Sequence, residues 1–153
     1  MIQELLKEEY IFLEETPRKQ TLKQALELIS GKCSVYAGVK ESDLTKAFLK
    51  REKIDSTGFG EGLAIPHAKV KRLQNPMAAF FRFTEGVDWK AVDGQPVRAA
   101  IALIMPAEDE DNTHLMILSE LARKLVHEEF MDKLLNETDK GELYSYILKE
   151  MEE

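Results

Sequence analysis

The segment Val97 to Met105, VRAAIALIM, constrains this chain most. Arg98 is its only charged residue. It is far shorter than the roughly 20 apolar residues that cross a bilayer, and no other run approaches that length. A short apolar run of this kind, closed by Pro106, predicts a buried β-strand, and Met77 to Thr84 (MAAFFRFT) predicts another. Asp93-Gly94 between them is a turn signal. Tyr10 to Leu13 is a third β-prone stretch, ended by Glu14 to Pro17.

Helical spacing occupies much of the remainder. Leu22, Ala25, Leu26 and Ile29 predict a helix from Thr21 to Ser30 with Gly31 as its C-cap. Leu44, Ala47, Phe48 and Arg51 predict a second, starting near Ser42-Asp43. Asp111 and Asn112 are expected to cap a third that runs to about Val126, and two more follow around Phe130 to Leu135 and Glu142 to Met151. With 153 residues, 44% apolar and 32% charged, the chain fits one compact domain, residues 1–153. Strands mixed with helices, without repeat or linker, indicate α/β class. The order of the strands is not legible at this stage.

Composition removes several functions. The 21 Lys and Arg residues against 28 Asp and Glu give a net charge of −7, which argues against nucleic-acid binding through overall charge. A single cysteine, Cys33, excludes an internal disulfide and a multi-cysteine zinc knuckle. It reads as a buried or incidental thiol. No histidine pair has the close helical spacing that supplies two zinc ligands, so neither metal nor other cofactor is expected. The opening MIQELLKEEY is acidic and amphipathic, unlike a secretory signal, and a cytoplasmic protein not embedded in a membrane is expected. The charge is uneven. Residues 46 to 72 hold seven bases against three acids, whereas residues 107 to 153 hold five bases against fourteen acids. The first of these stretches is either a candidate anion site or a set of solvated charges.

The stretch Gly58-Phe59-Gly60-Glu61-Gly62 is neither a dinucleotide fingerprint nor a nucleotide-hydrolase phosphate loop, because Pro66-His67 stands where a helix would begin and no Gly-Lys-Ser/Thr occurs. It permits an irregular backbone passing close to something. Pro66 fixes its own φ and drives Ile65 towards an extended conformation, so His67 sits at the end of a stiff segment anchored by Leu63 and Ile65. An imidazole held there at the rim of a core is a candidate nucleophile or acid–base group. His114 falls on the face formed with Leu118, Leu121 and Leu125, and a buried histidine requires a polar partner, either a site group or a backbone carbonyl. His127, about 220° round that helix from His114, reads as structural. Met77, Met105, Met116 and Met131 read as core filler.

The string REKIDSTGFGEGLAIPHAKV, Arg51 to Val70, resembles the active-site signature of the enzyme IIA component of the bacterial phosphoenolpyruvate:sugar phosphotransferase system, fructose/mannitol class. Thr113 to Leu125 resembles that family's second histidine helix, and Asp93 to Val97 matches as well. The likeness covers about residues 10 to 150. It implies a single three-layer α/β domain with a mixed sheet and helices on both faces. It further implies that His67 is phosphorylated by the phosphocarrier protein HPr and passes the group to a cysteine of a separate enzyme IIB, which works with a membrane IIC in sugar uptake, fructose-like uptake being favoured. His114 would orient the ring or the phosphoryl group, Arg51 would lend positive charge, and Thr57 would offer a hydroxyl to the phosphoryl oxygens. The glycine amides would help to stabilise the group. Glu61 departs from the small polar residue that is frequent there. The alternative within this resemblance is a nitrogen-regulatory paralogue that signals by its phosphorylation state. Ala68 and the Asp-Gly-Gln-Pro-Val segment lean to the sugar branch.

Overall fold

Burial runs unbroken along two strands: Met77 to Phe81 and Ala99 to Met105 are all buried. Neighbouring strand residues point to opposite faces, so such runs need cover on both sides. A computed structural model describes residues 1–108 and 112–152 and shows that cover. After a short turn at Ile2–Glu4, the elements are β1 (Leu6–Glu15), α1 (Leu22–Ala37), α2 (Glu41–Glu52), β2 (Gly58–Gly60), β3 (Leu63–Ala64) and β4 (His67–Val70). They continue with β5 (Met77–Val87), β6 (Val97–Pro106), α3 (Thr113–Leu125), α4 (Glu128–Asn136) and α5 (Lys140–Glu150). Helix α1 packs on β5, α4 on β6 and α5 on β1. Arg82 of β5 donates to the carbonyls of Leu134 and Glu137 at the end of α4, tying that helix to the sheet.

The six-stranded sheet has the order β1-β5-β6-β3-β2, with β4 also on β6. It is mixed, as expected: β5 and β6 are antiparallel, while β1 runs parallel to β5 and both β3 and β4 run parallel to β6. Strands β3 and β4 occupy one edge of β6 in succession. Leu63 and Ala64 face Ala99 and Ala100, and His67 to Val70 face Leu103 to Pro106. Ile65-Pro66 is the break between them, and the Pro66 carbonyl still accepts from Leu103 N at 2.9 Å. His67 is therefore the first residue of the resumed strand.

The structure corrects four local expectations. Helix α1 does not stop at Gly31 but continues to Ala37, with Gly38 at φ 76° as its cap. Ile29, Cys33 and Ala37, four residues apart and fully buried, carry the apolar stripe across the glycine, and their burial outweighs the roughly 1 kcal/mol that Gly costs inside a helix. Asn112 caps α3 with its backbone at φ 51° and makes no side-chain capping bond; Asp111 lies outside the described residues. The buried face of α3 is His114, Ile117, Leu121 and Leu125, with Leu118 only half-buried. Met116 is 49% exposed and is not core filler, unlike Met77, Met105 and Met131. The remaining helices and strands fall within a few residues of their expected places, β1 beginning earlier.

The glycine stretch is a tight hairpin, β2 against β3, with Gly60, Glu61 and Gly62 all at positive φ. The close approach it permits is internal: a Cβ on Gly58 would lie 2.6 Å from the Ala91 Cβ. Gly58→Ala should therefore destabilise the protein by about 1–3 kcal/mol through overpacking. Urea unfolding should show that loss, and adding Ala91→Gly should recover part of it.

Candidate functional site

Three elements converge on one groove. Helix α2 brings Arg51 on its last turn, β4 begins with His67, and α3 places His114 on its first turn. The groove, about 480 Å³, is lined by these three with Lys46, Lys50, Lys69, Ala47 and Ile54. The basic stretch seen in the sequence thus contributes three lysines and an arginine to one surface.

His67 is held at both ring nitrogens. Nδ1 lies 3.0 Å from the Ile65 carbonyl, which can only accept, so the proton is on Nδ1. Nε2 then carries the lone pair, and Arg51 Nε–H donates to it at 2.9 Å. Arg51 is itself fixed by an Nη1–H bond to the Asp55 carbonyl at 2.6 Å. The His114 ring, 7% exposed, lies 5.9 Å from that of His67, centroid to centroid, with 36° between planes. The structure therefore brings together His67, His114 and Arg51, residues far apart in sequence. Partial burial, above all, lowers the His67 pKa below its ordinary 6.5, and the electrostatic influence of Arg51, His114 and Lys69 lowers it further against the opposing Ile65 carbonyl. The imidazole is thus neutral and nucleophilic at pH 7.

Thr57 is placed differently from its expected role. Its hydroxyl donates to Glu52 Oε2 and accepts from Trp89 Nε1–H at 3.2 Å, while its own N–H donates to Glu52 Oε1 at 3.0 Å. It is 7% exposed and does not line the groove. Two amides of the glycine stretch are committed within the fold: Gly58 N–H donates to Ser56 Oγ at 3.1 Å, and Glu61 N–H donates to Asp93 Oδ2 at 2.9 Å. The hairpin is a support under the site, clamped from the 91–95 turn. Asp93 was read from the sequence only as a turn signal in a matching segment and Glu52 only as part of the matching string; neither was given a site role, and Trp89 was not singled out. Burial raises the Glu52 pKa against the bonds from Thr57 and the Arg51 charge.

The Cys33 reading holds, and the exposed His127 side chain makes no capping hydrogen bond. Cys33 is fully buried in α1, and burial pushes its thiol up to about 12. His127 is exposed and joins α3 to α4, where its carbonyl accepts from Phe130 and Met131. Among the described residues no group of three or more His, Cys, Asp or Glu could hold a metal ion, and no helix is long and apolar enough to cross a membrane.

Residues 4–150 match the family model for the phosphoenolpyruvate-dependent sugar phosphotransferase system, EIIA 2. The chain belongs to this EIIA family. The fructose-specific EIIA component of Haloferax volcanii is 36% identical over 145 residues, 94% of this chain and 92% of that one. The nitrogen regulatory protein of Klebsiella oxytoca is 36% identical over 84% of this chain and 79% of its own. A 47% identical match to the fructose-specific EIIABC component of Bacillus subtilis spans 59% of this chain but only 14% of that larger protein. Among solved structures, the nitrogen regulatory protein IIA-Ntr of Neisseria meningitidis superimposes with a TM-score of 0.83, at 27% identity and 99% coverage of both chains. IIA mannitol in its complex with phosphorylated IIB mannitol from Escherichia coli gives 0.74 at 23% identity, over 95% and 96% of the two chains. The EIIA fold thus holds across the mannitol and regulatory relatives.

The lowered His67 pKa has a stability consequence for this EIIA domain. Below pH 6.5 the unfolded chain gains a proton on this ring before the folded chain does, so stability falls as the pH drops through that window and levels off below the folded-state pKa. Wild type should lose more stability between pH 7.5 and 5.5 than His67→Gln, measured as the urea midpoint at each pH.

Proposed function

We propose that this protein is a phosphoryl carrier of the sugar phosphotransferase system. It takes the phosphoryl group from phosphorylated HPr onto His67 and gives it to a cysteine of a separate enzyme IIB, which with its membrane IIC phosphorylates a fructose-like sugar during uptake. It would act as one domain, residues 1–153, in the cytoplasm. The observation that carries this reading is the His67 ring, fixed by the Ile65 carbonyl through Nδ1, with its Nε2 lone pair facing a groove lined by Lys46, Lys50, Arg51 and Lys69.

The Nε2 lone pair attacks phosphorus in line, and the donor's P–N bond breaks with its electron pair returning to the donor imidazole. In the second step a cysteine thiolate attacks, and the Nε2–P bond breaks with its pair returning to His67. Such transfers need positioning and charge stabilisation more than covalent help from the protein. Arg51 must leave Nε2 for phosphorus to approach. Its guanidinium then turns to the phosphoryl oxygens, and the lysines offset their charge. His114, its ring tilted beside that of His67, orients it or the bound group. The fructose-specific relative supports the sugar branch.

The second reading is a nitrogen-regulatory role, in which the phosphorylated state is the signal. The superposition on IIA-Ntr and the match to the Klebsiella oxytoca protein favour it. Incubation with phosphoenolpyruvate, enzyme I and HPr should add one acid-labile phosphate, and His67→Ala should abolish it. Label that persists in His67→Ala would refute the site. His114→Ala should keep labelling but slow onward transfer. Passage of the label to a fructose-type IIB, with sugar phosphorylation in membranes, supports the transport role; absence of transfer to any IIB supports the regulatory one.

A further inference from the structure

Arg51 and Glu52 are adjacent on the last turn of α2, yet they serve different partners. Arg51 goes to Nε2 of His67, and Glu52 turns inward to Thr57. From Thr57 the bonds continue: its carbonyl accepts from Ile65 N–H at 3.0 Å, and the Ile65 carbonyl faces His67 Nδ1 at 3.0 Å. The path therefore runs Glu52, Thr57, Ile65, His67, Arg51 and returns to Glu52 through one peptide bond. It is a closed ring that grips both nitrogens of the imidazole. Glu52 is its only ionisable brace away from the groove. Its carboxylate takes both the backbone N–H and the hydroxyl of Thr57, and Trp89 Nε1–H secures that hydroxyl from the far side.

Resting on the phosphoryl-carrier reading of His67, we propose that Glu52 is a positioning residue for this transfer. By clamping Thr57 it sets the Ile65 carbonyl that holds the Nδ1–H tautomer, and it closes the 52–57 loop that offers the Asp55 carbonyl to Arg51. Glu52 touches neither the imidazole nor the groove, so its effect is entirely on where Nε2 and the guanidinium stand. Hydrogen bonds to a carboxylate are about twice as strong as neutral ones, and partners that orient a reactive imidazole matter accordingly. The role goes beyond the charge that Arg51 supplies, and it explains why an acidic residue sits beside a site built to receive an anion.

The test is Glu52→Gln in the full chain, which keeps size and one acceptor but loses the charge. Two measurements are made under conditions where the urea midpoint shows the variant fully folded: long-range proton–nitrogen correlation of the His67 ring, and single-turnover transfer from phosphorylated HPr. Wild type should show the Nδ1–H tautomer. In Glu52→Gln the two ring-nitrogen shifts should move towards each other as tautomers mix, and the transfer rate at saturating donor should fall about tenfold or more with half-saturation little changed, the scale expected when an orienting partner is lost. A folded Glu52→Gln with the wild-type ring spectrum and transfer rate would overturn the proposal. Should Glu52→Gln not fold, Thr57→Val and Thr57→Ser decide it. Val should reproduce the spectral and rate changes and Ser should restore both; a Val variant like wild type, or a Ser variant no better than Val, overturns it. The ring spectrum needs no phosphate. Failure of the carrier reading, seen as label remaining in His67→Ala, is thus distinct from failure of this one.

Discussion

The site depends on a single interruption in an edge strand. Along one side of β6, the chain pairs as β3, breaks at Ile65-Pro66 and pairs again as β4. The register is the same on both sides of the break and the Pro66 carbonyl still accepts from Leu103 N–H, so the neighbouring Ile65 carbonyl faces the opposite edge, where it turns to the imidazole two residues on, while Pro66 brings no N–H that would need a partner. The buried Leu63 and Ile65 side chains keep the break from drifting. His67 is thus presented by the rigid sheet rather than by a loop, which suits chemistry that relies on in-line geometry.

Charge is arranged around this point with similar economy. A protein with a net charge of −7 gathers Lys46, Lys50, Arg51 and Lys69 on one groove. The same positive field that favours an anion in the groove also disfavours a protonated imidazole, so burial and field together keep the ring neutral. Nucleophile readiness and anion attraction therefore come from one set of side chains.

Much of this was legible in the sequence where the cause is local. Pro66 acts on its immediate neighbours, so the stiff segment carrying His67 could be read directly, and the apolar runs announced the two central strands. His114 was legible because helical spacing put it on the buried face of α3. The α1 boundary was not, because Gly31 is a stop signal locally and is overridden only by the burial of Cys33 and Ala37 against elements distant in sequence. Thr57 shows the same limit: a hydroxyl in a signature reads as a ligand for phosphate, whereas its partners, Glu52 and Trp89, are known only once the hairpin and the 88–96 connection are folded. Trp89, 32 residues from Thr57, has no local signal that would pair it.

The setting of Cys33 has a consequence for the fidelity of the proposed relay. A phosphohistidine is an energetic donor, and a carrier whose next acceptor is a cysteine carries the hazard of an internal thiolate competing for the group. Here the chain's lone thiol is packed in the middle of α1, shielded from water and held protonated far above neutral pH. In that proposed relay a phosphoryl group carried on His67 would find no reactive thiolate within the chain to fall to.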